Sequence, residues 1–256
     1  MFDKGSGPPL IVVPGIQGRW EWLKPMLLEL STRHRTISYT LAGDFGAQTA
    51  YDPAQGFDNY LRQLDEVYER TGLASAALCG ISYGGFIALR YAATRPQRVS
   101  SLILASSPSP GWAPNELQRR YVRRPWLSSP AFVATAPVRL APEIYAAYDS
   151  WLARVKFAAV HTVRVVAAPM IPSVMARRVQ VQQAMDFTPD CARVTAPTLV
   201  ISGEEHLDRV VPVEATRRYE TLIAGARYAR MERTGHLGVL TRPERFAKIV
   251  DEFLKE

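Results

Sequence analysis

Residues 77–96 read ALCGISYGGFIALRYAATRP. An apolar run ends at Gly80, Ser82 follows two positions on, and Gly84 and Gly85 open a stretch with helical spacing. Glycine serves where the backbone needs a positive φ or where two segments approach closely. A strand that runs straight into a helix creates such an approach, so the positions two before and two after the central residue must be small. Gly80 and Gly84 meet that demand, and Gly85 lets the helix pack near the sheet. Ser82 would then stand at a strand end beside a helix N-terminus, which favours developing negative charge. In this strand–turn–helix setting Gly-x-Ser-x-Gly reads as a nucleophile elbow. The bland alternative is a glycine-rich turn with a bystander serine.

The chain on either side alternates strand and helix patterns. LIVV (10–13), ended by Pro14-Gly15, suits a buried strand, and TISYTL (36–41) reads as a second. Phe57, Tyr60, Leu61, Leu64, Val67 and Tyr68 recur at helical spacing. SAALCG precedes the turn, a helix runs on to about Arg95, Pro96 stops it, and RVSSLILASS is another buried strand. Residues 108–189 change character: alanine, arginine and proline with helical periodicity, PEIYAAYDSWLARVKFAAVHTVRVVAA being the longest helical segment. Strand pattern resumes at PTLVISG (197–203), followed by a helix near 213–223, ARYARME, and a last helix from about Pro243. The order predicts a mostly parallel α/β sheet flanked by helices, a core domain of residues 1–107 and 190–256, and an all-helical insertion at 108–189.

Composition narrows the class. The chain has 256 residues, 47% hydrophobic and 21% charged, and no apolar run of about 18 residues that would cross a membrane. The N-terminus lacks the basic start and long apolar segment of a signal peptide. Cys79 and Cys191 sit in unlike contexts, against a disulfide framework. The expectation is a cytoplasmic protein. Net charge is +7, with arginines clustered at Arg119, Arg120, Arg123, Arg124, Arg177 and Arg178. Such a cluster can attract nucleic acid, anionic lipid or an acidic substrate, but a solvated helix face is the default. No zinc spacing, RNA-binding signature or phosphate-cradling loop supports nucleic-acid binding, and no segment reads as amphipathic enough for a membrane.

A serine hydroxyl needs a base, and the base a carboxylate. Four histidines are available. His34, in STRHR, reads as solvent-facing; His161 reads as partly buried in the helical insertion; His206 follows two glutamates in a loop. His236, in RTGHLG, follows the last strand pattern between two glycines. The loop EEHLDRVVP offers Glu204, Glu205 and Asp208 as acids, whereas the end of LILASSPS offers none.

GPPLIVVPGIQG, LCGISYGGFIALRYA, SSLILASS, PTLVISGEEHLDRVVP and ERTGHLG together resemble the α/β-hydrolase superfamily, the serine esterase-like branch with a helical cap. The likeness spans nearly the whole chain apart from residues 108–189, which correspond to the cap. It implies the chain order serine, acid, histidine, and so Ser82 as nucleophile, His236 as base and Asp208 as acid. It also implies an oxyanion hole from the backbone N–H of Tyr83 and of Ile16, with Gln17 as the alternative to Ile16. Serine at the elbow excludes haloalkane dehalogenases and most epoxide hydrolases, which use aspartate there.

The resemblance implies cleavage of a small or medium carboxylic ester through an acyl-enzyme, with no cofactor and no metal. Carbon–carbon bond hydrolases and lactonases would use the same triad, and a non-catalytic ligand-binding relative would keep only the fold. The partner expected is a small-molecule ester, with no nucleic acid and no integral membrane association; a homodimer is a further option. Some of Trp112, Tyr121, Trp126, Phe132, Tyr145, Tyr148, Trp151 and Phe157 are expected to line an apolar pocket. Two departures stand out. Pro14-Gly15 replaces the usual His-Gly, and MFDKGSGPP leaves room for only a remnant of the leading hairpin, predicting a sheet of about six strands.

Overall fold

Strands form where short apolar, β-branched runs are bounded by turn residues. A computed structural model, describing residues 1–256, has seven: β1 (Phe2–Lys4), β2 (Pro9–Val13), β3 (Arg35–Ser38), β4 (Ala76–Ile81), β5 (Val99–Ala105), β6 (Thr198–Ser202) and β7 (Arg227–Arg230). Their order across the sheet is β1-β3-β2-β4-β5-β6-β7. All neighbours are parallel except β1, which pairs antiparallel with β3 and sets Phe2 opposite Ser38. The expected six strands are therefore seven, because the hairpin remnant still pairs. Phe2 is buried there, 5.6 Å from the Trp20 ring, and Asp3 pairs with Arg35 of β3.

Six helices belong to the first and middle parts of the chain up to residue 147: α1 (Lys24–Leu30), α2 (Asp58–Thr71), α3 (Gly84–Thr94), α4 (Glu116–Arg123), α5 (Pro125–Ala134) and α6 (Ala136–Ala147). Seven follow: α7 (Trp151–Ala167), α8 (Pro172–Gln183), α9 (Thr188–Arg193), α10 (Val213–Arg217), α11 (Tyr219–Leu222), α12 (Gly238–Thr241) and α13 (Pro243–Leu254). Both faces of the sheet are buried, as a parallel sheet requires. Alternate strand residues Ile11, Val13, Leu78, Leu102, Leu104 and Val200 face a core shared with α2, α3 and α9. Their neighbours Leu10, Val12, Cys79, Ile103 and Ile201 face a second core closed by α1 and α13. Cys79 and Cys191 are free and lie in these two separate cores.

Between β5 and β6 the chain forms helices α4–α9 and no strand, and no single helix is long and apolar enough to cross a membrane. Three boundaries differ from expectation. The second strand stops at Ser38, since Leu41 N–H turns away to bond Gly18 O at 2.9 Å. The long segment at 142–168 breaks at Tyr148–Ser150, where Arg154 Nε binds Tyr148 O at 3.0 Å and Asp149 pairs with Arg233. The helix near 213–223 is two short pieces that meet at Arg218.

Candidate active site

β2 and β4 are adjacent, but β3 continues the sheet from β2 one way and β5 from β4 the other. Loops leaving β2 and β4 therefore diverge, opening a crevice at the carboxyl ends of the strands. Ser82 stands at its floor with φ 52°, one of three non-glycine residues of positive φ. Its N–H is held by Ala105 O at 2.8 Å. The glycines around it are sterically required. A Cβ on Gly80 would lie 2.5 Å from Gly84 O and 2.6 Å from Gly85 Cα. One on Gly84 would lie 2.5 Å from Pro14 O, and one on Gly85 would overlap the Ser107 side chain.

His236 follows β7, and its Nε2 accepts the Ser82 hydroxyl at 3.1 Å. Its Nδ1–H donates to Asp208 Oδ2 at 3.3 Å. Asp208 follows β6, and its Oδ1 accepts the Val210 and Val211 N–H groups, both at 2.9 Å. The loops carrying the two residues touch backbone to backbone: a Cβ on Gly235 would lie 2.5 Å from Leu207 O. Burial pushes the Asp208 pKa up, but the His236 charge and the hydrogen bonds from His236, Val211 and Val210 outweigh it and leave the carboxyl below its ordinary range. Burial pulls His236 down; Asp208, by charge and hydrogen bond, and then Glu143 outweigh it and raise the imidazole above its ordinary 6.5.

The rival groups go elsewhere. Glu204 ties the two loops together, accepting Arg233 N–H at 2.7 Å while its own N–H donates to Thr234 O. Glu205 is exposed, and so is His206, 3.6 Å from Glu204. His161 is half-buried and stacks on Phe157 with ring centroids 5.7 Å apart. His34 corrects the sequence reading: it is buried, with Nε2 3.7 Å from Asp251 on α13. No group of three His, Cys, Asp or Glu side chains converges as metal ligands would.

Ile16, Gln17 and Tyr83 border the crevice, and the backbone N–H groups of all three are unbonded within the protein. Two further residues act on this region and were illegible in the sequence. Arg178, on α8, was read with Arg177 as part of a solvated face; Arg177 is exposed, but Arg178 is fully buried. Its Nη1 donates to Ile16 O at 2.8 Å and its Nη2 to Asp44 Oδ2 at 2.5 Å. Both members of that ion pair have side chains wholly out of contact with water. Glu143, on α6, is 1% exposed and accepts Leu237 N–H at 2.8 Å, one residue past His236. Burial drives its pKa up to about 7, against the opposing Leu237 and Gly235 N–H groups and His236. Asp44, an acidic residue between Gly43 and Gly46 after a strand, is a signal that could have hinted at a partner for Arg178; nothing in the sequence marks Glu143.

The crevice opens into a cavity of about 190 Å³ between the sheet and helices α4, α5 and α8. Of the eight aromatic candidates, Trp112, Tyr121 and Phe132 line it, beside Met170, Met175, Val179 and Val211. Tyr148 packs on Phe157, and Trp126, Tyr145 and Trp151 are exposed. Gln17, Gln118, Ser128, Ser129 and Gln182 supply polar groups, and no charged side chain lines the wall.

The family model described as the alpha/beta hydrolase family matches residues 10–249, almost the entire chain. The chain belongs to the alpha/beta hydrolase family. Among curated members, this α/β hydrolase is 24% identical to the 2-hydroxy-6-oxo-2,4-heptadienoate hydrolase of Pseudomonas putida, over 99% of this chain and 91% of that one. It is 26% identical to a protein of Azorhizobium caulinodans named for carbamate hydrolysis, RutD, over 98% of this chain and 93% of that one. Among solved structures, the enol-lactonase from Burkholderia xenovorans LB400 superposes on this α/β hydrolase with a TM-score of 0.80 at 21% identity, covering 100% of this chain and 95% of that one. At that identity the likeness speaks to the fold.

Proposed function

We propose that this α/β hydrolase cleaves neutral carboxylic esters of small or medium size through an acyl-serine intermediate. Residues 108–189 act in this reading as a cap over the core formed by 1–107 and 190–256. The single observation that carries it is the unbroken chain of contacts Ser82–His236–Asp208 opening onto an apolar cavity with no charged wall. Ser82 Oγ attacks the ester carbonyl as its proton passes to His236 Nε2. Asp208 holds Nδ1–H and stabilises the imidazolium. The N–H groups of Ile16 and Tyr83 receive the developing oxyanion. His236 then protonates the leaving alcohol, water attacks the acyl-enzyme with His236 as base, and the acid departs.

A second reading, carbon–carbon bond hydrolysis or lactone opening, is favoured by the names of the relatives. The dienoate in one of those names is a carboxylate anion, and anions call for a cation in a low-dielectric site. Here the buried Arg178, on a helix that lines the cavity, is already neutralised by Asp44. That asymmetry favours the uncharged ester.

Intact-mass spectrometry after fluorophosphonate treatment tests the nucleophile. The wild type should gain one adduct, Ser82→Ala none, and His236→Ala one formed far more slowly. Well-folded wild type that gains no adduct overturns the reading. Turnover of simple aryl esters compared with vinylogous diketones and enol-lactones then separates the two chemistries.

A further inference from the structure

The chain's charge and its exposed apolar side chains are concentrated in the same place. Residues 108–189 hold ten arginines and lysines against four acidic residues, a net +6 of the total +7. Seven of those ten cations, Arg120, Arg124, Arg139, Arg154, Lys156, Arg164 and Arg177, have no carboxylate within reach of an ion pair. Twelve of the fifteen large apolar side chains that stand exposed also lie here, between Leu117 and Val166. A core lacking partners for its apolar groups would bury them; a surface that keeps them beside unpaired cations is built to meet something.

The corner where α4 meets α5 combines both features at the cavity itself. Along it, residues alternate in pairs: Gln118, Tyr121, Val122 and Pro125 line the cavity, while Arg119, Arg120, Arg123, Arg124, Trp126 and Leu127 face outward. Trp126 is 65% and Leu127 73% exposed. An outward tryptophan and leucine directly beside arginines matches the boundary of a bilayer, where aromatic rings settle at headgroup depth and cations meet anionic lipid. The exposed stripe on α7, Trp151, Leu152, Val155, Val163 and Val166, is apolar too, but its Arg154 and Arg164 are half-buried and only Lys156 is fully exposed, against four exposed arginines at the corner. The charge therefore singles out the α4–α5 corner.

We propose that the outward face of the α4–α5 corner docks this protein on anionic lipid bilayers. Association is peripheral: electrostatic attraction supplies approach, and Trp126 and Leu127 enter the headgroup layer. A second copy fits the face poorly, because a twofold contact there would set Arg120, Arg123 and Arg124 against their own counterparts. The docking does not rest on the ester reading, since binding is measured without turnover.

The test is co-sedimentation of the full chain with phosphatidylcholine vesicles with or without about 30 mol% phosphatidylglycerol, at about 0.05 M and 0.5 M salt. Wild type and Ser82→Ala should bind the anionic vesicles alike and lose most of that binding at high salt. Arg123→Glu/Arg124→Glu and, separately, Trp126→Ser/Leu127→Ser should each weaken it at least about tenfold while leaving hydrolysis of a short soluble ester unchanged. Circular dichroism and thermal melting confirm that these exposed variants fold. Three results would overturn the proposal: equal binding to vesicles without phosphatidylglycerol, no vesicle binding at low salt, or corner variants that bind as wild type. So would a lipid-free dimer that Trp126→Ser/Leu127→Ser dissolves, which would make the corner a self-association surface.

Discussion

Arg178 donates to the carbonyl oxygen of Ile16, although 162 residues separate them in the chain. The guanidinium thereby grips the loop that borders the crevice beside Ser82, and its charge is met only by Asp44. A buried ion pair adds little net stability but is costly to break from one side.

Arg178→Met should therefore destabilise the protein by about 3–5 kcal/mol, since it strands the Asp44 carboxylate. Arg178→Met combined with Asp44→Leu should recover most of that loss in urea titrations. Ester turnover should not recover, because the Ile16 carbonyl has lost its tether. A double variant with wild-type kcat would show that the pair merely fills space.

Asp208→Asn is expected to fold normally, since an asparagine oxygen can still accept the Val210 and Val211 N–H groups. It should lower kcat by about 10⁴-fold, because an amide can leave the imidazole in the wrong tautomer. Thermal melting alongside aryl-ester kinetics separates the two effects.

Glu143 predicts a pH signature. Its folded pKa of about 7 lies above the ordinary 4.5, so its contribution to stability is complete below pH 4.5 and is lost as pH rises through about 7. The full effect is on the order of 3 kcal/mol. Glu143→Gln lacks this titration, so between pH 4.5 and 7 the difference in Tm should move steadily in the variant's favour. Removing the charge also removes one of the influences raising His236, and the acid limb of kcat/KM should shift to lower pH.

Gly80→Ala should cost stability at the upper end of the 1–3 kcal/mol expected of overpacking, about 3 kcal/mol, because the new methyl meets backbone that cannot step aside. Activity should fall further than stability, since relief of the clash displaces Ser82. A crystal structure or the Tm of the variant, read with kcat, checks both.

The elbow was legible because its constraint is local: three glycines and a serine within six residues leave the backbone few options. His236 and Asp208 were legible because each stands just past a strand pattern, where the topology delivers loop residues to the crevice. Their rivals Glu204 and His206 occupy the same loop, and only side-chain direction separates them from Asp208. Arg178, Asp44 and Glu143 were hidden for the opposite reason. Their partners lie 162, 134 and 94 residues away, and a helical arginine looks the same in sequence whether it meets water or a carboxylate. His34 misled for the same reason, its polar neighbours giving no sign of α13 beside it.

The salt link between Asp44 and Arg178 also bears on how such chains diverge. One partner sits just past β3 in the scaffold and the other in the helical segment that shapes the cavity. A recombination event that exchanged residues 108–189 for those of another family member would bring in a new cavity but orphan the aspartate left behind. Grafts should succeed only when position 44 travels with the exchanged segment, so specificity in this reading is inherited in two pieces rather than one.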